Sequence, residues 1–213
     1  IQSIFQLFSI YPDVVLSSGG YAAFPTLCAA RILKIPVVIY DADASPGRVS
    51  LWSSKFAAWI AIAHPDAAKA MPAKVQSRTA LIGHPIRKDI QKLTREGGHE
   101  FLKLDPSVPT IFVLGGSQGA QKINGTILDS LHELVTRYNV VHQTGKAHLE
   151  EVNGIAGVIL KDSPFKERYR TFALLNTLAL RMTAGITDLC VARAGSGTIF
   201  EIASWKLPSI LVP

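Results

Sequence analysis

The sequence predicts an α/β protein made of two parallel-sheet units in tandem, and three observations carry that expectation. Short apolar runs rich in β-branched residues alternate with helical patterns from end to end, which is how parallel sheets covered by crossover helices read. The alternation fails once, between Leu93 and Pro109, where charged and turn-forming residues including Gly97, Gly98, Asp105 and Pro106 accumulate. On both sides of that break a strand runs through a glycine-containing turn into a helix, so the halves share one local design. The expected organisation is therefore a first unit over 1–95, a linker over 96–108 and a second unit over 109–213.

In the first unit the runs at 14–16, 36–40, 59–63 and 79–82 read as strands, with helices around 25–33 and 47–56. The second unit begins with a strand at 110–114. Ile123, Ile127, Leu128, Leu131, Leu134 and Val135 then recur at helical spacing, followed by strands at 140–142, 158–160 and 189–192.

Composition limits the class. With 213 residues, 48% hydrophobic and only 18% charged, the chain has the apolar content for a packed core and too little charge for a disordered one. A net charge of +6 favours phosphates or an anionic surface as partners. Cys28 and Cys190 lie far apart with no CxxC, which excludes a disulfide framework and fits a reducing cytoplasm. His64, His84, His99, His132, His142 and His148 show no zinc-site spacing. No apolar stretch approaches the roughly 20 residues that span a bilayer, so membrane contact is expected to be peripheral. The chain opens on Ile1 and closes on the apolar run Leu211, Val212, Pro213, which reads as a buried strand, so both ends are expected to be cuts.

Four turns are candidates for chemistry. Gly115-Gly116-Ser117-Gln118-Gly119-Ala120 follows a strand and opens a helix, presenting backbone N–H groups and the Ser117 hydroxyl where an anion would sit. It lacks the GKS or GKT ending of a P-loop and the full GxGxxG spacing. Arg193-Ala194-Gly195-Ser196-Gly197-Thr198-Ile199-Phe200-Glu201 repeats the arrangement. There Glu201, three residues after Thr198, is either the acid of a capping box or an acceptor for both ribose hydroxyls of a nucleotide. Gly195-Ser196-Gly197 lacks the frame of a nucleophile elbow, which argues against a hydrolase. Gly19-Gly20-Tyr21 is the third such turn. In the fourth, Gly83-His84-Pro85-Ile86-Arg87, Pro85 fits the start of a helix, and Arg87 either reaches a diphosphate across a cleft or is a solvated surface residue.

Asp41-Ala42-Asp43 reads as a metal-binding carboxylate pair or as a strand-end turn, and the adjoining Ser45-Pro46-Gly47 favours the turn. Two apolar stripes read as core or as a membrane-docking face: Ile1, Ile4, Phe5 and Phe8, and Trp52, Phe56 and Trp59 beside Arg48 and Lys55.

Taken together and in order, the segments 19–25, 83–87, 115–124, 142–146 (His142-Gln143-Thr144-Gly145-Lys146) and 193–213 resemble the peptidoglycan N-acetylglucosaminyltransferases of glycosyltransferase family 28. The likeness covers nearly the whole chain. It implies two Rossmann-like domains of the GT-B type, both truncated here, the first holding a lipid acceptor and the second a uridine diphosphate sugar. The implied reaction is inverting, metal-independent transfer of N-acetylglucosamine from UDP-GlcNAc to undecaprenyl-diphosphate-muramyl-pentapeptide, lipid I to lipid II, in cell-wall biogenesis and hence in cell shape and division. The implied partners are those two substrates and the inner face of the bacterial cytoplasmic membrane, where the enzyme would be peripheral, with no cofactor, no metal and no nucleic acid.

Residue by residue, the resemblance places Arg87 and Ser117 at the nucleotide diphosphate and Gln118 among the substrate-binding residues. Ser196, Gly197 and Thr198, continuing into Ile199 and Phe200, would turn a helix N-terminus toward phosphate, while Glu201 holds ribose and Leu175 offers backbone to the base. Gly19, Gly20 and Tyr21 become an acceptor-side loop. Asp43 stands where the family has a substrate-binding Asn, and Tyr40-Asp41-Ala42-Asp43 departs from the usual His-Glu-Gln-Asn. The family's candidate catalytic His and the Gln residues that read the donor sugar are expected outside 1–213. The alternatives are a UDP-binding fragment without turnover, a related glycosyltransferase acting on a diacylglycerol or other polyprenyl acceptor, and, supported only by the glycine-rich turns, a nicotinamide-dependent oxidoreductase.

Overall fold

The structure is a computed structural model that describes residues 2–115 and 120–213. It divides into two compact units, Ile1–Pro85 and Ile86–Pro213.

The first unit contains α1 (Gln2–Ile10), β1 (Val15–Ser17), α2 (Phe24–Ile32), β2 (Val37–Asp41), α3 (Arg48–Ser54), β3 (Trp59–Ile62), α4 (Pro65–Ala70) and β4 (Thr79–Leu81). The four strands form a wholly parallel sheet in sequential order. Along β2 the side chains alternate, with Val37, Ile39 and Asp41 buried between neighbours that are half-exposed, as the two-residue period of a strand requires. Val37, Ile39, Ile60 and Ile62 pack against Leu27 and Ala30 of α2 and Ala67 of α4 in one core.

The second unit contains α5 (Lys88–Gln91), α6 (Gly98–Leu102), β5 (Thr110–Leu114), α7 (Gln121–Asp129), α8 (Leu131–Arg137), β6 (Asn139–Gln143), α9 (Leu149–Ile159), β7 (Tyr169–Phe172), α10 (Thr177–Ile186), β8 (Leu189–Arg193), α11 (Ser196–Trp205) and β9 (Ser209–Val212). Its parallel sheet has the order β7-β6-β5-β8-β9, the doubly wound arrangement. The chain reverses direction of winding between β5 and β8, and ligands of such sheets bind at the carboxyl ends of the strands beside that switch point. Every residue of β5 and β6 is buried. Ile111 and Val113 face one core with α7, α8 and α9, while Phe112 and Leu114 face the other with α10 and α11. Burial on both faces is what makes a central parallel strand read as one continuous apolar run.

Five local expectations are corrected. Residues 158–160 end a helix instead of forming a strand: Val152 and Ala156 bury at i and i+4 along α9, and Val158 is exposed. The strand that pairs with β6 is β7, whose Arg170 donates to the backbone carbonyls of Leu102 and Lys103. The segment 96–108 contains α6, and Leu102 and Leu104 are buried in the second unit's core. Its glycine at 98 serves close packing, because a Cβ there would lie 2.6 Å from Ile186 Cγ2 and 3.1 Å from the Met182 carbonyl on α10. Pro85 starts no helix; α5 begins at Lys88 with Arg87 at its N-cap. The run at 209–212 is a strand, but Ser209, Ile210 and Leu211 are exposed.

Candidate functional site

The most constructed polar site of the second unit lies at the carboxyl ends of β5 and β6 and the start of α11. A pocket of about 350 Å³ is lined there by Arg87, Gln143, Leu175, Thr198 and Glu201, with Leu114, Leu174 and Leu180 as its apolar walls. Helix α11 forms because Gly195, extended at φ −80° and ψ 140°, ends the strand and lets the chain turn directly into Ser196. The first intrahelical bond runs from Ile199 N to Gly195 O, and Gly195 has no side chain to cap the N–H groups ahead of it. Those donors, at the positive end of a ten-residue helix, favour an anion.

This geometry decides against the capping box. Thr198 is the third residue of α11 and Glu201 the sixth, so neither occupies a cap position. Instead Glu201 Oε1 lies 3.6 Å from Arg87 Nη2, with the carboxylate side chain 27% exposed and the guanidinium side chain 56% exposed. So open an ion pair contributes little to stability. What holds the two side chains near each other is the packing beneath them. Trp205, one turn beyond Glu201 and buried, donates its Nε1–H to the Ile90 carbonyl of α5 at 2.9 Å, which seats the helix that Arg87 caps. Arg87 thus belongs to the same compact unit as Glu201.

Three consecutive residues at the end of β6 organise the rest. His142 is wholly buried, with Nε2 3.0 Å from Asn124 Oδ1 and Nδ1 2.8 Å from the Tyr169 hydroxyl. Because Asn124 Oδ1 only accepts, Nε2 carries the proton and the Tyr169 O–H donates to Nδ1. Asn124 passes the chain on by donating Nδ2–H to the Thr144 carbonyl at 3.1 Å. Burial holds the imidazole down to about 4 and pushes the Tyr169 phenol up, so both are neutral at physiological pH. Between them, Gln143 Oε1 accepts the backbone N–H of Leu175 at 3.1 Å. The network also braces the entry to the glycine-rich turn: Gly115 N donates to the Gln143 carbonyl, and a Cβ at Gly115 would stand 2.7 Å from that same oxygen, so only glycine fits.

Of the residues expected from sequence, Arg87, Leu175, Thr198 and Glu201 meet in this pocket. Ser196, Gly197, Ile199 and Phe200 lie half-buried along the first turns of α11. Gly116, Ser117, Gln118 and Gly119 lie outside the described residues. Sequence reasoning missed Gln143 as a pocket residue, although an amide among the apolar residues that end β6 is a detectable signal.

In the first unit, Gly19 and Gly20 follow β1 with φ of +80° and +83°, and Tyr21 is exposed. Asp41 Oδ1 accepts the Asp43 N–H at 3.1 Å, an Asx turn that gives the buried carboxylate a turn-forming role; Asp43 itself is exposed. Among the described residues no group of three or more His, Cys, Asp or Glu side chains is placed to hold a metal ion. Tyr40 OH lies 2.7 Å from His84 Nδ1, tying the end of β2 to the fourth turn. Burial, then the Asp41 and Asp43 carboxylates, raises the Tyr40 phenol above its ordinary value.

Residues 110–213 match the model of the glycosyltransferase family 28 C-terminal domain, and residues 1–62 that of the N-terminal domain of the same family. The chain belongs to glycosyltransferase family 28. Its relatives in the family include the UDP-N-acetylglucosamine–N-acetylmuramyl-(pentapeptide) pyrophosphoryl-undecaprenol N-acetylglucosamine transferase of Treponema denticola, 36% identical over 100% of this chain and 54% of that protein. The Staphylococcus epidermidis protein of the same name is 32% identical over 95% of this chain and 52% of its own length. The crystal structure of Acinetobacter baumannii MurG superposes with a TM-score of 0.68 at 25% identity, covering 99% of this chain and 55% of that one. A Neisseria meningitidis UDP-GlcNAc 2-epimerase bound to UDP-GlcNAc shares the fold at a TM-score of 0.69 and 15% identity, over 99% of this chain and 62% of that one. The family 28 chain described here therefore has Rossmann-like units of the GT-B type, and it spans about half the length of the curated relatives it matches.

Proposed function

We propose that the protein to which this chain belongs transfers N-acetylglucosamine from UDP-GlcNAc to an undecaprenyl-diphosphate-linked muramyl-pentapeptide, with inversion and without a metal, in peptidoglycan synthesis. The observation that carries the donor half is the single pocket in which Arg87, Thr198 and Glu201 converge at an uncapped helix N-terminus. In this reading the diphosphate takes the Ser196, Gly197 and Thr198 N–H groups and draws Arg87 away from Glu201. Glu201 then accepts both ribose hydroxyls. Fixed donors and a guanidinium offset the charge that develops on the departing UDP, a task otherwise suited to a divalent cation. Ser117 joins the diphosphate site, Gln118 is a further substrate-binding residue, and Leu175 flanks the base. The acceptor half rests on the names of the relatives, with Gly19, Gly20, Tyr21 and Asp43 as its residues in the first unit.

Calorimetry of UDP binding to this chain tests the donor site. Glu201→Ala is expected to weaken UDP by roughly tenfold to a hundredfold, the worth of a charged hydrogen-bond acceptor. The 2′,3′-dideoxy analogue, lacking both hydroxyls, should bind weakly to wild type and be almost unaffected by Glu201→Ala. Equal losses for both nucleotides would remove Glu201 from the ribose. Sugar transfer by the whole protein to another lipid, but never to the muramyl acceptor, would overturn the acceptor assignment in favour of a related glycosyltransferase.

The same reading places the protein peripherally on the inner face of the cytoplasmic membrane. Among the described residues no helix is long and apolar enough to cross a bilayer. Helix α1 has no buried residue, and Phe5 and Phe8 are 74% and 66% exposed; Ile1 lies outside the described residues. The second stripe dissolves: Trp52 packs between Phe24 and Phe56 at centroid distances of 4.8 and 5.0 Å, and Trp59 belongs to β3. The docking face is accordingly Phe5 and Phe8. Co-sedimentation with anionic liposomes should fall several-fold in Phe5→Ser/Phe8→Ser and stay unchanged in a Trp59→Ser control; unchanged binding of the double variant would exclude α1.

A further inference from the structure

We propose that the edge of the second sheet carries a binding site for a phosphate monoester, in a recess between β7 and α9 that shares no residue with the nucleotide pocket. The recess has a volume of about 380 Å³, within the range of sites that hold a small molecule.

Its shape follows from two periods. Tyr169 and Thr171, two residues apart on the edge strand β7, face the same side of the sheet. Across from them α9 presents Asn153, Ala156, Gly157 and Leu160, spaced i, i+3, i+4 and i+7 along one helix face. Ala156, Leu160 and Tyr169 are buried and form an apolar wall. Gly157 keeps the recess open. Glycine is disfavoured inside a helix, and here neither packing nor backbone requires it, since a Cβ at 157 would meet nothing within 4 Å and its φ is not positive.

The polar rim is set for an anion. Lys161 and Lys166 line it, both exposed, and among the described residues neither ammonium is paired with a carboxylate. Glu167, the carboxylate of the same wall, is drawn onto Arg170 Nη2 at 2.9 Å, which neutralises it. The Thr171 hydroxyl donates to Asn153 Oδ1 at 2.5 Å, so that oxygen is taken and the amide presents its two N–H groups. Two ammonium groups and an amide suit a tetrahedral oxyanion: lysine binds phosphate as a point charge, whereas a planar carboxylate is matched by the fork of an arginine. A phosphate monoester carries close to two negative charges at neutral pH, one for each ammonium, and its organic group lies against Ala156, Leu160 and Tyr169. That wall separates a monoester from inorganic phosphate.

Amide-resolved NMR titration of this chain with phenyl phosphate and with inorganic phosphate, at pH 7.5, tests the proposal. Phenyl phosphate should shift the amides of Gly157, Lys161 and Thr171 saturably, and several-fold more tightly than inorganic phosphate. Lys161→Ala/Lys166→Ala should weaken it about tenfold or more. Gly157→Leu, which puts a side chain where a Cβ has room, should abolish it; no buried contact is altered in either variant, so both should fold. Vesicles of phosphatidylcholine and phosphatidic acid in equal parts, with the Phe5→Ser/Phe8→Ser chain, distinguish two sources of such a group. Co-sedimentation that depends on Lys161 and Lys166 makes the monoester a lipid headgroup, and none makes it a soluble metabolite; either result supports the site. Shifts confined to Ser196, Gly197 and Thr198 would place the phosphate at α11 and overturn the proposal. Unchanged affinity in both the two-lysine variant and Gly157→Leu, or no binding to wild type at about 10 mM, overturns it as well.

Discussion

Acidification from pH 7.5 to pH 4 is expected to remove about 3 kcal/mol of folding stability through His142 alone. In the folded protein burial lowers this imidazole from 6.5 to about 4. Between those values the unfolded chain binds a proton that the folded chain refuses, so protonation favours unfolding. The contribution is present in full above pH 6.5 and is lost progressively as the pH falls toward 4. The cause is structural: Nε2 already donates to Asn124 and Nδ1 accepts from Tyr169, so a second proton would force the Tyr169 hydroxyl to turn round and would bury a charge with no counter-ion among these partners. Denaturant melts of wild type and His142→Gln at intervals across this range provide the measurement. His142→Gln should be less stable at pH 7.5, and the gap between the two proteins should narrow by about 3 kcal/mol on reaching pH 4. Parallel curves would mean that the imidazole does not refuse the proton.

Gly185→Ala is expected to destabilise the fold by about 3 kcal/mol, at the upper end of the usual cost of overpacking. Intrinsic propensity predicts the opposite sign, since Ala exceeds Gly by about 1 kcal/mol in a helix interior. The tertiary contact reverses it. A Cβ on Gly185 would run into the carbonyl group of Thr94 and lie 3.0 Å from Arg95 N, backbone atoms that cannot swing aside. That backbone is held on α10 by Arg181, which donates Nε–H to the Lys92 carbonyl at 2.6 Å and Nη2–H to Thr94 Oγ1 at 3.0 Å. Gly154 on α9 supplies the control, because a Cβ there meets nothing within 4 Å, and Gly154→Ala should gain up to about 1 kcal/mol. Chemical denaturation of both variants gives the comparison, and a Gly185→Ala protein as stable as wild type would show that residues 92–95 do not lie against α10.

The outcome for individual elements shows where sequence reasoning has purchase. The strand Thr110–Leu114 was legible residue for residue because it is buried on both faces, so its apolar run has no competing explanation. The edge strand Tyr169–Phe172 was not, because Arg170 interrupts the pattern and its purpose, binding the carbonyls of Leu102 and Lys103, is visible only when residues 67 and 68 positions apart are brought together. The apolar residues 158–160 were misread for the complementary reason: three in a row fit either period, and the burial of Val152 and Ala156 one turn apart resolves them as a helix end.

Leu175 came from the resemblance to family 28 alone. By itself, the sequence determined the α/β class, the alternation of strand, glycine turn and helix, and the identities of Arg87, Thr198 and Glu201 as candidates. These depend on local period and on residue chemistry, which adjacent residues carry. Tertiary structure alone decided that Glu201 faces Arg87 instead of capping its own helix, that Gly98 and Gly185 are packing positions, and that His142, Gln143 and Thr144 fasten three separate segments to one strand end. Each of those outcomes is set by atoms distant in sequence meeting at van der Waals or hydrogen-bond distance, and no local pattern encodes which of them meet.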